Sequence, residues 1–478
     1  MIPSNDRARP PLILVVLVFG LLLCACGTGV SGDQPKFMFD PNAPADPPIR
    51  PILEFEDDDR IMILAPHPDD EILATGGVIQ EALKLGLPVE VVFYTSGDNN
   101  EFAFLIYSKV FTLDPRSARA AGQVRSLEAL QAGRELGLSI RDEFFLGYPD
   151  FGTMEIWLNR WGPERERFVS MFTEAGEVPY WFAQTPGAVH KGESIMKDLE
   201  LALLDFQPTV LFLSHTADTN PDHAALNLFT RTVLWDLEEQ IQPRVYAFLT
   251  HYGDWPQPAG LYSEGPLEPP AKFDEAGRWV VLRLTSQEVA RKLEAIKRHD
   301  TQYTASPDYL ESFMRSNELF DPVEPIPLHA ESPVLLLPSG TGVLQGEQLP
   351  EGAWTDTAER HMQIEGDKLI FSIELVGDVV ASLEIDVYVS GYRYDLSFAE
   401  MPKYHLEAGR AGLKVEERRE LVAESGVELS RSPGVIELRI PLDTLWNPDK
   451  IFFSVGARAN GKDLDTLDWV VLDLRGDS

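Results

Sequence analysis

The stretch Ile61-Met62-Ile63-Leu64-Ala65-Pro66-His67-Pro68-Asp69-Asp70-Glu71 decides the fold class of this chain. The apolar run 61–65 predicts a buried strand, and the polar turn after it opens a helix. A strand that is apolar on both faces is typical of a parallel sheet covered by helices. We therefore expect strand and helix to alternate along the following sequence.

This alternation continues from residue 60 to residue 251. The apolar runs that predict further strands are Val89–Tyr94, Glu143–Leu146, Thr209–Ser214 and Arg244–Thr250. The helical patterns are Ile72–Leu85, Val124–Leu136, Ser194–Phe206 and His223–Glu239. Together they predict a Rossmann-like α/β domain, in which a mostly parallel sheet has helices on both faces. Ligands of such sheets bind beyond the carboxyl ends of the strands.

Two long stretches, Asn99–Gln123 and Phe151–Lys191, lack a clear period and are expected to be irregular. The second is rich in aromatic residues. Long excursions from an α/β sheet often form substrate walls, but aromatic side chains also pack into small cores of their own. The sequence leaves both possibilities open.

Polar residues crowd the turn after the first strand, where His67, Asp69, Asp70 and Glu71 lie within five positions. Burying three carboxylates together costs free energy unless a cation neutralises them. Imidazole and carboxylate groups together suit zinc. The turn is therefore a candidate half of a metal site.

A second polar turn, from His215 to His223, follows the predicted strand Thr209–Ser214 and opens another helix. Taken alone, each turn is more simply explained as a helix cap. Taken together, they lie at equivalent ends of the sheet and can supply three ligands around one metal ion. A fourth, open position would hold water, as a metal-dependent hydrolase requires.

Several motifs in order resemble one family. They are Pro66-His67-Pro68-Asp69-Asp70-Glu71, Thr95-Ser96-Gly97-Asp98, Arg125-Ser126-Leu127-Glu128, Gly147-Tyr148-Pro149-Asp150-Phe151-Gly152, and the later Lys292, His299 and Gln302. This set resembles the PIG-L/LmbE-like family of zinc-dependent N-acetylglucosaminyl deacetylases. The resemblance covers residues 58–302 and says nothing about the chain beyond Pro333.

The resemblance implies roles for individual residues. It implies that His67, Asp70 and His223 ligate zinc, and that Asp69 is the general base that takes a proton from water. It also implies that Arg125 contacts the sugar, and the same holds for Asp150.

One position departs from the family pattern. The family commonly has His-Pro-Asp-His, whereas this chain has Asn220-Pro221-Asp222-His223. The amide of Asn220 can donate a hydrogen bond to an oxyanion, but it cannot carry positive charge or act as an acid. His215 is close in sequence and is the alternative source of an imidazole, a question that the sequence leaves open.

The amino terminus has the features of an export signal. Arg7 and Arg9 precede the short apolar run Leu12–Leu23, which ends in Leu23-Cys24-Ala25-Cys26-Gly27. This ending resembles a bacterial lipobox, which implies cleavage before Cys26 and lipidation of its thiol. We expect residues 1–25 to be a signal peptide and residues 26–57 a tether. The rest of the chain would then be extracytoplasmic and lipid-anchored to a bacterial membrane. An uncleaved anchor helix is the alternative.

Beyond residue 319 the pattern changes. Residues 320–332 are rich in Pro and Glu and are expected to be a linker between a catalytic domain (58–319) and a second domain (333–478). Period-two alternation, as in Leu383–Val389, predicts an antiparallel β-sandwich that folds on its own. Through its strand pattern and the Trp446 and Trp469 segments it loosely resembles carbohydrate-binding modules, although core positions are the simpler expectation for both indoles.

Composition excludes several classes of protein. The 76 acidic and 41 basic residues give a net charge of −35, which disfavours nucleic acid as a partner. The only cysteines are Cys24 and Cys26, so the chain beyond residue 26 can have neither a disulfide nor a cysteine nucleophile.

The combined interpretation is a zinc-dependent enzyme that removes the acetyl group from an N-acetylated amino sugar or glycoconjugate at the cell surface. Two alternatives stay open: a zinc hydrolase of another small amide, and a glycan-binding lipoprotein that retains metal without turnover. The sequence specifies neither the sugar nor the oligomeric state.

Overall fold

Strand and helix alternate from Ile61 to Phe248, as the sequence predicts. The computed structural model describes residues 50–99, 114–273, 278–322, 324–330, 332, 334–336, 355–377, 383–409, 411–432, 434–459 and 462–475. The expected signal peptide, Cys26 and most of the tether lie outside these residues. Within the described ranges, no helix is both long and apolar enough to cross a membrane.

The first sheet has seven strands in the order β3-β2-β1-β4-β5-β7-β6. Its strands are β1 (Ile61–Ala65), β2 (Val89–Thr95), β3 (Glu143–Tyr148), β4 (Val210–Ser214), β5 (Arg244–Phe248), β6 (Val280–Arg283) and β7 (Asn317–Pro322). The helices of this region are α1 (Asp70–Leu85), α2 (Pro115–Leu136), α3 (Thr153–Asn159), α4 (Gly192–Phe206), α5 (Pro221–Asp236), α6 (Ser286–Ile296), α7 (Asp300–Ala305) and α8 (Pro307–Glu311). Strands β1 to β5 are parallel, and β7 and β6 extend the sheet in antiparallel fashion. The predicted α/β fold is confirmed.

The chain order of the strands reverses direction at β1. Strand β2 pairs with one side of β1 and β4 with the other, in register from Ile61 onward. The connections that leave the carboxyl ends of β1 and β4 therefore diverge and leave a crevice between them. The two polar turns recognised in the sequence lie at this crevice.

The expectation that both long stretches are irregular is wrong in part, since residues 153–159 of the second stretch form α3 and the first stretch contains the start of α2. Residues 115–123, expected to be irregular, form the first turns of α2. Asp114 caps this helix, accepting hydrogen bonds from the backbone N–H groups of Arg116 (3.0 Å) and Ser117 (2.8 Å), and Pro115 occupies the first turn. An acidic cap followed by proline is a standard helix start. Residues 100–113 lie outside the described residues.

The carboxy-terminal region consists of two further sheets. Their orders are β16-β17-β11-β10-β9 and β15-β14-β13-β12-β18-β19-β8. The strands are β8 (Ile326–Pro327), β9 (Leu335–Leu336), β10 (Thr355–Glu365), β11 (Lys368–Gly377), β12 (Leu383–Tyr392), β13 (Lys403–Gly409), β14 (Gly412–Glu417), β15 (Glu420–Leu421), β16 (Glu428–Ser432), β17 (Val435–Pro441), β18 (Lys450–Ala459) and β19 (Lys462–Asp473). Alternate residues of both sheets, such as Phe371 and Phe453, meet in one core, as in a β-sandwich.

The segment 320–332 contains strand residues of both regions. Strand β7 of the α/β sheet runs to Pro322, and β8 pairs with the end of β19. The backbone N–H of Leu328 continues this pairing with a hydrogen bond to the carbonyl of Asp473 (2.8 Å).

The α/β region and the sandwich share a hydrophobic core. The indole of Trp157, on α3, stacks on Phe398 (ring centroids 4.9 Å apart) and meets the edge of Phe452 (5.1 Å). Phe229, on α5, packs against the same indole at 4.9 Å. Trp469 is buried in this core as expected, whereas Trp446 is 45% exposed.

Polar contacts surround this shared core. The Tyr392 hydroxyl donates to Asp236 (2.8 Å), and Arg165 pairs with Glu420 (2.6 Å). The sequence analysis treats the sandwich as a domain that folds on its own, whereas these contacts and the shared core join it to the α/β region. Apolar residues on α3 and α5 complete their burial only against the sandwich.

Replacing Phe398 should therefore destabilise both regions together. Phe398→Ala removes a fully buried ring from the shared core, so we expect a loss of roughly 3 kcal/mol in the free energy of unfolding. Denaturant unfolding followed by tryptophan fluorescence and circular dichroism should show one transition at a lower midpoint. Trp181→Ala, at an indole that is 82% exposed, is the control and should change stability little. Two separate transitions, with only one of them shifted, would contradict the shared core.

Candidate active site

The turns after β1 and β4 bring three ligand atoms together. Nδ1 of His67 lies 3.1 Å from Nε2 of His223 and 3.4 Å from Oδ2 of Asp70, and these last two atoms are 3.1 Å apart. Ligand atoms at 2.0–2.1 Å from a tetrahedral zinc ion would be separated by about 3.3 Å. The donor set and its spacing fit a zinc ion.

The electrostatics of this cluster also favour a cation. Burial opposes the charge on His223, but Asp218 and Asp70 raise its pKa to about 9. Burial likewise opposes the charge on His67, yet Asp150, Asp222 and Asp70 raise its pKa well above the ordinary value. Both imidazoles are thus drawn toward positive charge by the carboxylates around them. A divalent ion would supply that charge and leave the ring nitrogens neutral for ligation.

Further side chains fix the orientation of two of these ligands. Oδ2 of Asp218 lies 3.1 Å from Nδ1 of His223, which leaves Nε2 directed at the cluster. Asp218 is itself held by the backbone N–H groups of Thr250 (3.1 Å) and His251 (2.9 Å). The Thr250 hydroxyl lies within hydrogen-bond distance of Oδ1 of Asp70 (3.1 Å). Such outer contacts set ring orientation in metal sites.

His67 has its own carboxylate partners. Its Nε2 lies 3.2 Å from Asp150 and 3.4 Å from Asp222, on the side of the ring away from His223. Asp222 also accepts hydrogen bonds from the backbone N–H groups of Phe151 (2.5 Å) and Thr153 (3.1 Å). Asp150, matched by sequence to a sugar-contacting position, thus lies beside a candidate metal ligand.

Asp69 is held apart from these ligands. Its backbone has a φ of 132°, a left-handed conformation that non-glycine residues rarely adopt, and its side chain is 13% exposed. Burial raises the pKa of Asp69 to about 6, against the lowering effect of Arg125, whose Nη2 lies 3.3 Å from Oδ2 of Asp69. A partly accessible carboxylate with a raised pKa suits a general base.

Arg125 is positioned by backbone carbonyls. It donates from Nη1 to Gly97 (3.0 Å) and from Nη2 to Pro68 (2.8 Å), and the residue is buried. A Cβ at position 97 would collide with the guanidinium, and Gly97 has a φ of 64°. Glycine is therefore required here for Arg125 to reach Asp69.

His299, expected from the family motifs, supports the turn from behind. Its Nε2 lies 2.8 Å from Oε1 of Glu71, and Oε2 of Glu71 accepts a hydrogen bond from the backbone N–H of Asp69 (2.8 Å). This chain of contacts stabilises the unusual backbone conformation of Asp69.

The structure places Asn220 at the start of α5. Its side-chain oxygen accepts a hydrogen bond from the backbone N–H of Asp222 (2.9 Å), so it caps the helix. His215 points elsewhere: its Nε2 lies 3.0 Å from Asp321, its Nδ1 accepts from the backbone N–H of Ala217 (2.9 Å), and its ring stacks on Trp279. Both ring nitrogens of His215 are engaged in these contacts.

His251 is a candidate that the sequence analysis missed. Its ring meets that of His223 edge-on with centroids 4.7 Å apart, and its Nδ1 lies 3.4 Å from Asp218. The side chain is 35% exposed, unlike that of His215. His251 lies three residues beyond the end of β5 but directly follows the strand predicted over Arg244–Thr250, as His215 directly follows the strand predicted over Thr209–Ser214, and this was the signal that the sequence contained.

Residues 62–234 match the family model PIG-L: GlcNAc-PI de-N-acetylase. This stretch is a PIG-L family domain. It contains both polar turns and all three candidate ligands. No curated protein matches the chain.

Solved structures resemble the chain over about half its length. A conserved protein of Thermus thermophilus is 20% identical, with a TM-score of 0.34, covering 56% of this chain and 97% of its own. The N,N'-diacetylchitobiose deacetylase of Pyrococcus horikoshii is 18% identical, with a TM-score of 0.33, covering 56% and 84%. The 4-carboxy-2-hydroxymuconate hydratase of Pseudomonas putida is 17% identical, with a TM-score of 0.33, covering 53% and 82%. These likenesses do not assign an activity.

The ligand triangle predicts metal content. We expect the purified protein to bind one divalent ion per chain, and His67→Ala to abolish binding because two remaining ligands hold an ion weakly. Elemental analysis and zinc titration measure both. His329→Ala, outside the cluster, should bind metal normally. A wild-type protein that contains no transition metal and takes up no added zinc would contradict the site.

Proposed function

We propose that the chain is a zinc-dependent hydrolase that removes the acetyl group from an N-acetylated amino sugar or glycoconjugate. The observation that carries the proposal is the ligand triangle of His67, Asp70 and His223 with a separate carboxylate, Asp69, beside it. The PIG-L match of residues 62–234 supports deacetylation as the reaction.

The three ligands would hold the zinc ion. When bound there, a zinc ion supplies Lewis acidity toward an amide carbonyl and lowers the pKa of water. Every carboxylate that orients the two histidines is engaged in doing so, which leaves Asp69 as the group able to accept a proton from water. Asp69 can then return the proton to the leaving amine.

Arg125 would act on Asp69 rather than directly on a sugar. Its guanidinium is buried, lies 3.3 Å from Asp69 and is held by two backbone carbonyls. This contact keeps the carboxylate ionised and oriented. A direct contact between the substrate and Asp150 is not required by the geometry, because Asp150 already faces His67.

His251 would take over the donor role that Asn220 leaves open. Asn220 caps α5 and His215 is occupied by Asp321, whereas His251 adjoins His223 and is partly exposed. An imidazole in this position can donate a hydrogen bond to an oxyanion or to substrate.

We also propose that the protein is extracytoplasmic and lipid-anchored through Cys26. The support for this is the sequence 7–27 alone, with its basic start, short apolar run and lipobox-like ending.

The proposed base gives a direct test. Asp69→Asn keeps the size of the side chain but removes the proton acceptor, so turnover should fall by roughly 10²–10⁴ while metal is retained. Acetate release from a panel of N-acetylated sugars and parallel elemental analysis measure the two quantities. Asp57→Asn, at an exposed carboxylate outside the cluster, is the matched control. Activity equal to wild type in Asp69→Asn would exclude Asp69 as the base.

The two histidines can be separated in the same assay. His251→Ala should lower kcat by roughly 10- to 100-fold with unchanged metal content, as expected for the loss of a donor. His215→Ala should instead lower the free energy of unfolding, since it leaves Asp321 with fewer partners, and kcat of the folded protein should be retained. The opposite pattern would assign the donor role to His215.

A further inference from the structure

An open cavity of about 430 Å³ adjoins the candidate active site on the β5 side. The His251 side chain lines it, and the His251 ring lies 4.7 Å from that of the candidate ligand His223. Neither the family resemblance nor the candidate metal site accounts for this cavity.

Aromatic side chains form much of its wall. Tyr252 and Trp255 come from the loop after β5, and Tyr309 comes from α8. These rings are anchored from behind: Trp255 donates from Nε1 to the carbonyl of Glu268 (2.8 Å) and packs on Phe313, and Tyr309 donates to the carbonyl of Thr250 (2.9 Å). The wall is therefore a preformed surface.

The rim of the cavity is polar but carries no positive charge. Asp254, Gln257 and Thr219 line it, and its lining contains neither lysine nor arginine among the described residues. The chain as a whole has a net charge of −35. A phosphate placed on this rim would meet a carboxylate and, among the described lining residues, neither lysine nor arginine, which is unfavourable. Hydroxyl groups, by contrast, can pair with the carboxylate and amide, and the apolar face of a sugar ring can pack on the aromatic wall.

We propose that this cavity binds an uncharged sugar ring joined to the acetamido sugar, so that the substrate is a neutral oligosaccharide rather than a phosphate-bearing sugar. This inference rests on the proposed function, since it assumes that the acetamido group reacts at the metal cluster. A volume of about 430 Å³ accommodates one hexose ring together with part of its hydration.

Equilibrium binding to the zinc-loaded full chain tests the inference without requiring turnover. The Asp69→Asn protein would be titrated calorimetrically with N-acetylglucosamine, N,N'-diacetylchitobiose and N-acetylglucosamine 1-phosphate. We expect the disaccharide to bind roughly tenfold tighter than the monosaccharide, and the phosphate no tighter than the monosaccharide. Equal affinity for mono- and disaccharide, or tightest binding of the phosphate, would overturn it.

Substitutions then locate the second ring. Trp255→Ala should weaken disaccharide binding roughly tenfold and leave monosaccharide binding within about twofold. Trp181→Ala, at an exposed indole away from the cavity, should change neither. An equal loss for both sugars, in a protein whose circular dichroism is unchanged, would show that the second ring does not lie on this wall.

Because Trp255 also packs on Phe313, a charge reversal at the exposed Asp254 provides an independent test. Asp254→Lys should tighten binding of the sugar phosphate at least threefold, while disaccharide binding, which loses the carboxylate as a hydroxyl partner, should not tighten. Glu424→Lys, on the sandwich, makes the same change in net charge and should have no such effect. If Asp254→Lys and Glu424→Lys behave identically, the group attached to the acetamido sugar does not lie beside Asp254.

Failure of this inference can be told apart from failure of the proposed function. If no acetylated sugar releases acetate but the binding pattern holds, the chain binds neutral glycans here and the deacetylase proposal is wrong. If acetate is released and substitution of neither Trp255 nor Asp254 affects binding, the deacetylase proposal is supported and the proposed site for the second ring is wrong.

Discussion

The structure depends on the burial of four carboxylates around two imidazoles. Asp70, Asp150, Asp218 and Asp222 are all buried beside His67 and His223. Removing such groups from water is costly unless each one is paired and hydrogen-bonded. The surrounding backbone N–H groups and hydroxyls supply those hydrogen bonds, and a cation at the ligand triangle would neutralise much of the remaining negative charge.

This requirement connects the site to the sandwich. Asp222 and His223 lie in the first turn of α5, and Asp222 is held by the start of α3. The later turns of the same two helices bury Trp157 and Phe229 in the core shared with Phe398 and Phe452. The sandwich therefore fixes the relative position of the two helices whose amino-terminal ends hold the site. A second domain can thus contribute to the geometry of a reaction centre without contributing a residue to it.

The sequence predicts what depends on local pattern. The apolar runs predicted the five parallel strands, and the placement of polar turns after β1 and β4 predicted that these two turns would meet. The resemblance to the family then pointed to His67, Asp70 and His223 as the ligands. The sequence could not predict contacts set by the register of distant elements, such as that of Thr250 with Asp70. It also could not distinguish His215 from His251, because both lie after a predicted strand. Only the structure shows that Asp321 and Trp279 pack against His215. The sequence does not predict the shared core, because each apolar pattern is complete within its own region, whereas Asp114 followed by Pro115 does indicate a helix start.

Adjacent residues of one turn acquire opposite properties from their surroundings. Burial opposes ionisation of both carboxyl groups, but the two histidines hold the pKa of Asp70 well below its usual range, while Asp69, opposed by Asp70 and Glu71, keeps a pKa of about 6 despite Arg125. Such a divergence separates a permanent anion from a group that can exchange protons near neutral pH. Asp69 has this unusual φ and its side chain contacts Arg125, whereas that of Asp70 contacts His67 and His223, so a single peptide unit separates the candidate ligand from the proposed base. The chemistry of the turn thus follows from one unusual φ angle, which Glu71 and His299 hold in place and which Gly97 makes compatible with Arg125.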